Sequence, residues 1–397
     1  MIPTPLVRPD AKIVMVVVDG LGGFADASGG SELEEADTPN LDRLAAEGIV
    51  GLVEPVGPGV TPGSGPGHLA LFGYDPVADL VERGALAAAG VGVELRPGDV
   101  AARGNFAILA DDGTIADRRA GRMADEAARA LVARLNDELG LAGVEIHHVK
   151  QHRVAVVLRA ADGDGHDPDL TGNDPGRSGA TPIDPVAHSP GAEPTAALVR
   201  RVLARVGELL GPADTPVGTI LLRGFDGHRD LPSLEERFGL RGAAVAAYPM
   251  YRGVASLVGM DVLRRPTSLD DACAVVAGAW DDHDFFFVHD KAADEAGEDG
   301  DRAGKERAIE AVDAIVARLR DLGPAVLAVT GDHATPSQLA AHSWHPVPTV
   351  VWNGIERDEQ TRFGERWCRA GALGLRPTNH LLAIMVAMAD RFEKYGG

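Results

Sequence analysis

The sequence predicts an α/β protein whose core is built from both ends of the chain, with a smaller α+β domain inserted between them. Three observations carry this. Short apolar runs that end in polar residues, AKIVMVVVDG (11–20), DFFFVHD (284–290) and AVLAVTGDH (325–333), read as parallel strands covered on both faces. The last two flank AGKERAIEAVDAIVARLRDLG (303–323), whose apolar residues fall at helical spacing before a closing Gly. Between the chain ends the texture changes, to alternating segments and one long stretch rich in Gly, Pro and Asp.

Taken in order, the run 11–20 ends in Asp19-Gly20, at the carboxyl edge where α/β sheets place functional groups. TPNLDRLAAEGIV (38–50) reads as a helix with Thr38 at the N-cap, Pro39 at N1 and Gly48 near its end. GVTPGSGPGHLALFGYDP (59–76) surrounds Ser64 with Gly and Pro, which permit tight turns and close backbone approach but are also common in ordinary loops. RGNFAILADDGTIADRRAGR (103–122) alternates like a hairpin turning at Asp112-Gly113, DEAARALVARLNDELG (125–140) is an amphipathic helix, and HRVAVVLRA (152–160) is a strand. Residues 162–194 form a long loop, and loops of that length are functional or disordered. The inserted domain spans 85–245, leaving 1–84 and 246–397 for the core. The stretch 284–301 runs from strand into an acidic loop; helix 303–322 then leads to strand 325–330, parallel to 284–289 in one sheet.

The composition is that of a soluble globular protein, with 45% hydrophobic and 24% charged residues among 397. A formal charge of -21 excludes the basic footprint that nucleic-acid binding needs, yet a few local Arg can still dominate a pocket for an anion. Cys273 and Cys368 have neither metal-ligand spacing nor a disulfide framework. The opening MIPTPLVRPDAK lacks an apolar signal core, and no run of 18 apolar residues occurs, so no membrane partner and a cytoplasmic location are expected.

The polar residues at the strand ends are Asp19, Asp294, Glu298, Asp332 and His333, and HSWHPVP (342–348) adds His342 and His345. Parallel strands bring their carboxyl ends together, and a cluster of carboxylates and imidazoles repels itself unless cations hold it. Oxygen with nitrogen ligands suits Zn²⁺ or Mn²⁺ better than Ca²⁺. Two such ions flanking the Ser64 hydroxyl would activate it for phosphoryl transfer. Each motif alone is often structural, Asp-Gly as a turn and Asp-His as a hydrogen-bonded pair. Their joint occurrence in this order favours chemistry.

VVVDGLGG, TPNLDRLAAEG, the Ser64 segment, DEAGEDGD and GDHATP, in this order, resemble the alkaline phosphatase superfamily. Within it the sequence is similar to the archaeal-type 2,3-bisphosphoglycerate-independent phosphoglycerate mutases. GDVAARGNFAILADDGTIADRRAGR, ILLRGFDG and RGAAVAAYPMYRGVASLVGMDV match that branch too. The resemblance implies an alkaline-phosphatase-like core, a mostly parallel sheet sandwiched by helices, and an inserted substrate-binding domain. It implies one metal site at Asp19, Ser64, Asp332 and His333, and another at Asp294, His342 and position 298. Here the chain departs from the family, which has His in D-E-A-G-H-D-G-D where this sequence has Glu298. The added negative charge favours a harder ion, so Mn²⁺ is expected, with Zn²⁺, Co²⁺ and Mg²⁺ open and no 2,3-bisphosphoglycerate required. His345 has no ligand counterpart and is given a loop role, although it lies close enough to replace the missing imidazole.

The same resemblance makes Ser64 the nucleophile in S-x-x-G-H, with His68 orienting it, touching phosphate or simply packing. Arg118, Arg119 and Arg122 would grip the carboxylate and phosphate of a phosphoglycerate, where in most proteins DRRAGR would be a solvated charge run. Asp117 would hold a glycerate hydroxyl, and Arg103, Arg223, Arg252 and Lys291 are further substrate contacts. The implied activity is interconversion of 3-phosphoglycerate and 2-phosphoglycerate in glycolysis or gluconeogenesis through a phosphoserine, in a cleft that closes to exclude water. A metal-dependent phosphomonoesterase or phosphotransferase acting on another small phosphorylated metabolite is the alternative. A homo-oligomer and a monomer are both open.

Overall fold

The computed structural model describes residues 10–27, 29–161, 165–210 and 215–392. The opening MIPTPLVRP and positions 162–164 of the long central loop lie outside the described residues. The chain divides into two units, Met1–Leu80 with Leu231–Gly397, and Val81–Asp230.

The core unit carries an eight-stranded sheet in the order Gly374–Pro377, Ile49–Glu54, Val347–Trp352, Val326–Thr330, Ile13–Val18, Phe285–Asp290, Gly242–Ala246, Asp261–Val262. Only Val347–Trp352 runs against its neighbours. IVMVVV at 13–18 is buried at every position, which is why it reads as a continuous apolar run rather than an alternating one. It lies between the two strands of the strand–helix–strand unit and pairs in parallel with both, Val18 opposite Asp290 and Val17 opposite Thr330. The connecting helix Arg302–Asp321 buries Ile309, Val312, Ile315, Val316 and Leu319 against the face that carries Val14, Val16 and Val18. Asp19, Asp290 and Gly331-Asp332 therefore leave one edge of the sheet together.

Three expectations need correction. The insertion begins and ends earlier than 85 and 245, because Gly242–Ala246 pairs in parallel with Phe285–Asp290 and belongs to the core sheet. The acidic segment after that sheet strand is a helix, Ala292–Glu298, not a loop. Ala and Glu favour helix strongly enough to outweigh the polar composition, and i, i+4 spacing puts Asp294 and Glu298 on one face. Ser64 likewise opens a helix, Ser64–Leu71, rather than sitting within a loop. Gly67 is required there, since a Cβ would lie 2.4 Å from the Asp332 carbonyl oxygen.

In the inserted unit an antiparallel sheet is centred on Val100–Leu109. That strand pairs with Arg153–Leu158, with Thr219–Gly227 and, at its end, with Ile115–Asp117; Val144–Lys150 pairs outside Arg153–Leu158. The hairpin turns through Asp112-Gly113, with Gly113 at φ 79°. Helices Asp125–Glu138 and Glu193–Leu209 cover one face with Leu131, Leu135, Val199, Val202 and Val206. The 165–189 part of the central loop forms no helix or strand, but Asn173 in it is buried and ties to the sheet by hydrogen bonds with Ile220 and Leu222. Among the described residues no helix is long and apolar enough to cross a membrane.

Candidate active site

Two groups of ligand-type side chains meet at the carboxyl edge of the core sheet. Asp19, Asp332 and His333 form one, and Asp294, His333 and His342 the other, the candidate ligand atoms of each lying within 4.8 Å of one another. His333 is common to both. Its Nε2 stands 3.1 Å from Asp332 Oδ2, 3.5 Å from Asp19 Oδ1 and 3.3 Å from Ser64 Oγ. The His342 ring stacks on it at 3.7 Å, with Nε2 3.5 Å from Asp294 Oδ1 and Nδ1 donating to the Pro62 carbonyl at 2.9 Å. Glu298 is at the rim: its side chain is 55% exposed, with Oε1 3.6 Å from His342 Nε2, and it falls in neither compact group.

The electrostatics of this edge call for cations. Asp19 Oδ1 and Asp332 Oδ2 are buried and receive no hydrogen bond, a costly arrangement for carboxylates unless an ion satisfies them. Burial would raise the pKa of Asp19, but Lys291 and the contact with His289 outweigh it and hold the carboxylate well below its usual range. Asp332 is pushed up by burial and by Asp19, yet His333 and His68 bring it below the ordinary value. Burial holds the His333 pKa down, whereas His342, despite burial, is pushed up to about 9 by Glu298, the Pro62 carbonyl and Asp294. Lys291 supplies a built-in positive charge, its ammonium 2.6 Å from Asp294 Oδ2 and 3.2 Å from Asp19 Oδ2. Carboxylate oxygens, imidazole nitrogens and a hydroxyl make a donor set that fits divalent transition ions.

Other expected residues sit differently. His68 is fully buried, not facing the site: Nδ1 lies 3.2 Å from Asp332 Oδ2 and 2.8 Å from the Ser64 carbonyl, and the ring packs among Tyr251, Phe287 and His289. It braces the helix that opens with Ser64 against Asp332. Arg252 is spent on the carbonyls of Ala246 and Leu263 in the core unit. His345 stands apart from both groups, stacked between Phe24 and Trp344 with Nδ1 against Ser343 Oγ.

The inserted unit holds a cluster of arginines. Arg103 lies directly opposite Arg223 across the strand pair Val100–Leu109 and Thr219–Gly227, a like-charge pairing that costs stability in a sheet. Burial, then repulsion from Arg153, Arg223 and Arg83, pushes the Arg103 pKa down to about 8. His152, buried beside Arg153 and Arg103, falls to about 4. Asp174 is the counter-charge: it takes Arg118 in a bidentate pair, Nη2 to Oδ2 at 2.7 Å and Nε to Oδ1 at 3.1 Å, and lies 3.7 Å from Arg223. Arg119 and Arg122 are exposed, and Asp117 is occupied with the N–H groups of Arg119 and Gly121, closing the turn rather than reaching outward. The result is a concentration of partly buried positive charge around one carboxylate, a local field that favours an anion.

Sequence reasoning missed Arg83, Arg153, Asp174, His289, Thr335 and Lys305. Of these only His289 carried a sequence signal, as a polar residue at the end of the apolar run FFFV; the rest needed the third dimension.

Residues 45–215 match the model of the 2,3-bisphosphoglycerate-independent phosphoglycerate mutase family. A probable 2,3-bisphosphoglycerate-independent phosphoglycerate mutase of Deinococcus radiodurans is 44% identical over 98% of this chain and 97% of its own. One of the same description from Thermus thermophilus is 45% identical with the same coverage. Among solved structures, a protein of Pyrococcus horikoshii superposes with a TM-score of 0.83 at 28% identity, covering 98% of this chain and 99% of its own. A cofactor-independent phosphoglycerate mutase of Thermoplasma acidophilum gives 0.69 at 28% identity, covering 96% and 100%. With likeness of this degree over nearly the full length of both chains, the chain belongs to the 2,3-bisphosphoglycerate-independent phosphoglycerate mutase family.

Proposed function

We propose that the chain interconverts 3-phosphoglycerate and 2-phosphoglycerate through a phosphoserine on Ser64, as an isomerase acting in the cytoplasm. The observation that carries this reading is the position of Ser64, at the start of a helix with Oγ 3.3 Å from the imidazole shared by two cation-type groups. Asp19, Ser64, Asp332 and His333 would hold one divalent ion, and Asp294, His342 and Glu298 the other, with Mn²⁺ the expected metal. Bound there, such ions lower the pKa of a hydroxyl and neutralise phosphoryl oxygens. Two buried free cysteines fit a reducing compartment.

The chain's own groups do the rest. The N–H groups of Ser64 and Gly65 open the helix without intrahelical partners and offer donors to a phosphoryl oxygen. Ser64 Oγ forms a bond to phosphorus as the bond from phosphorus to the glycerate 3-oxygen breaks; the serine proton is lost and that oxygen gains one. The 2-hydroxyl of glycerate then attacks the phosphoserine, loses its proton and restores Ser64. Lys291 keeps positive charge beside Asp19 and Asp294 throughout, which limits repulsion of the incoming dianion. Glycerate must be retained while the phosphoryl rests on Ser64, or water would make the enzyme a phosphatase. Of the inserted unit's residues, Arg103, Arg118 and Arg223 would carry the charge that a glycerate carboxylate needs.

Phosphorus NMR of aliquots quenched with chelator tests the reading. Added 3-phosphoglycerate and Mn²⁺ should give the 2-phospho isomer without free phosphate, and Ser64→Ala should lower the rate by at least about a thousandfold, ~4 kcal/mol of barrier. Release of phosphate alone would favour the phosphomonoesterase reading. Full turnover by Ser64→Ala would place the nucleophile elsewhere.

A further inference from the structure

Thr335, two residues beyond His333, is completely buried, and its hydroxyl has two neighbours. Oγ1 lies 2.7 Å from Asp294 Oδ1 and 3.0 Å from His333 Nδ1. Asp294 Oδ2 accepts from the Lys291 ammonium at 2.6 Å, and its Oδ1 accepts from the Thr335 hydroxyl. A hydroxyl has one proton to give. Thr335 donates it to Asp294 and must therefore accept from His333, which places the ring proton on Nδ1 and leaves the Nε2 lone pair free. That lone pair faces Ser64 Oγ and two buried carboxylate oxygens, Asp19 Oδ1 and Asp332 Oδ2, that accept no hydrogen bond.

We propose that Thr335 is a positioning residue that couples the two cation-binding groups, fixing the tautomer of His333 and the rotamer of Asp294 through one hydroxyl. The inference rests on the two-cation reading above. The main chain holds the hydroxyl in place: the Thr335 N–H donates to the carbonyls of Gly22 at 3.1 Å and Gly20 at 3.3 Å, and its carbonyl accepts from the buried Lys305 ammonium at 2.8 Å. Gly20, at φ 69°, leaves room for it, since a Cβ there would lie 2.7 Å from Oγ1 and 2.9 Å from Asp294 Cα. Removing an outer partner of a metal-ligating imidazole or carboxylate typically weakens metal affinity about 10–100-fold.

Thr335→Val keeps the branched shape and removes the hydroxyl, whereas Thr335→Ser keeps the hydroxyl and removes the methyl. Titration calorimetry with Mn²⁺ alone should show two ions bound by wild type and by Thr335→Ser. Thr335→Val should bind them about 10–100-fold more weakly while still unfolding cooperatively. Wild-type affinity in Thr335→Val overturns the proposal, as does a Thr335→Ser variant as weak as Thr335→Val. A wild type that binds no divalent ion refutes the two-cation reading instead. The relay is then decided by ¹⁵N-histidine NMR of the full chain, which also decides it if Thr335→Val does not fold. A proton on His333 Nδ1 in wild type and in Thr335→Ser supports it, and a proton on Nε2 overturns it.

Discussion

Lys305→Met tests how the ligand-bearing loops are held. Lys305 is fully buried on the helix Arg302–Asp321. Its ammonium donates to the carbonyls of Gly22 at 3.0 Å and Thr335 at 2.8 Å, joining the loop after Asp19 to the loop after His333, and it lies 3.8 Å from Glu32 Oε2. Glu32 Oε1 accepts from the Ser337 N–H and hydroxyl, but Oε2 has no hydrogen bond. Methionine matches the length of the side chain and removes the charge and the donors. Two buried carbonyls then lose a partner and Glu32 is left as a buried unpaired charge, for a cost of about 3–5 kcal/mol. For a unit of this size that lowers the unfolding temperature by roughly 6–20 °C.

The pH dependence sharpens the test. Burial raises the Glu32 pKa, but Lys305 and Ser337 outweigh it and leave it below the ordinary 4.5. In wild type the stability from this group is therefore present above that ordinary value and is lost as pH falls through the folded pKa. In Lys305→Met the burial effect is no longer opposed by the ammonium, so Glu32 shifts upward and takes up a proton on acidification. The gap between wild type and variant should be widest near pH 8 and narrow by up to about 1.4 kcal/mol per pH unit below the variant's Glu32 pKa. Calorimetric scans from pH 8 to 5 would show it. A loss under about 1 kcal/mol, well short of the expected range for a broken buried pair, or a gap that widens on acidification, would refute the reasoning.

Two further substitutions probe the site. Glu298→His should shift preference from Mn²⁺ toward Zn²⁺ by on the order of tenfold, ~1.4 kcal/mol, in competition titrations; an unchanged ratio would exclude Glu298 from coordination. Arg103→Met should act in opposite directions on stability and activity. Replacing a repelled, partly buried guanidinium should stabilise the inserted unit by about 1 kcal/mol, while losing charged hydrogen bonds to substrate should raise KM about 10–100-fold. An inserted unit that melts earlier instead would show that Arg103 holds the sheet rather than the substrate.

What was legible in the sequence had a local cause. VVVDG, DFFFVHD and LAVTGDH announced themselves because a strand covered on both faces is apolar through its middle and turns polar at its carboxyl end. Asp19, Asp332 and His333 directly follow such runs, whereas the roles expected of Asp294, His342 and Ser64 rest on the family resemblance. The errors were local as well. The acidic run 292–298 was misread because its charge suggested a loop while its Ala and Glu content made a helix. For His68, left open in the sequence between orienting Ser64, touching phosphate and packing, one helical turn carries the ring inward, behind Asp332.

The tertiary structure decided what distant segments do to each other. That His333 serves both groups depends on Asp294 and His342 arriving from 39 residues before it and nine after, which no spacing rule encodes. Arg103 and Arg223 are 120 positions apart and face each other only through the register of two antiparallel strands. Thr335 and Lys305 look ordinary in the chain. They acquire roles because burial removes water as a partner, so each donor and acceptor must be matched by a protein group whose place the fold alone sets.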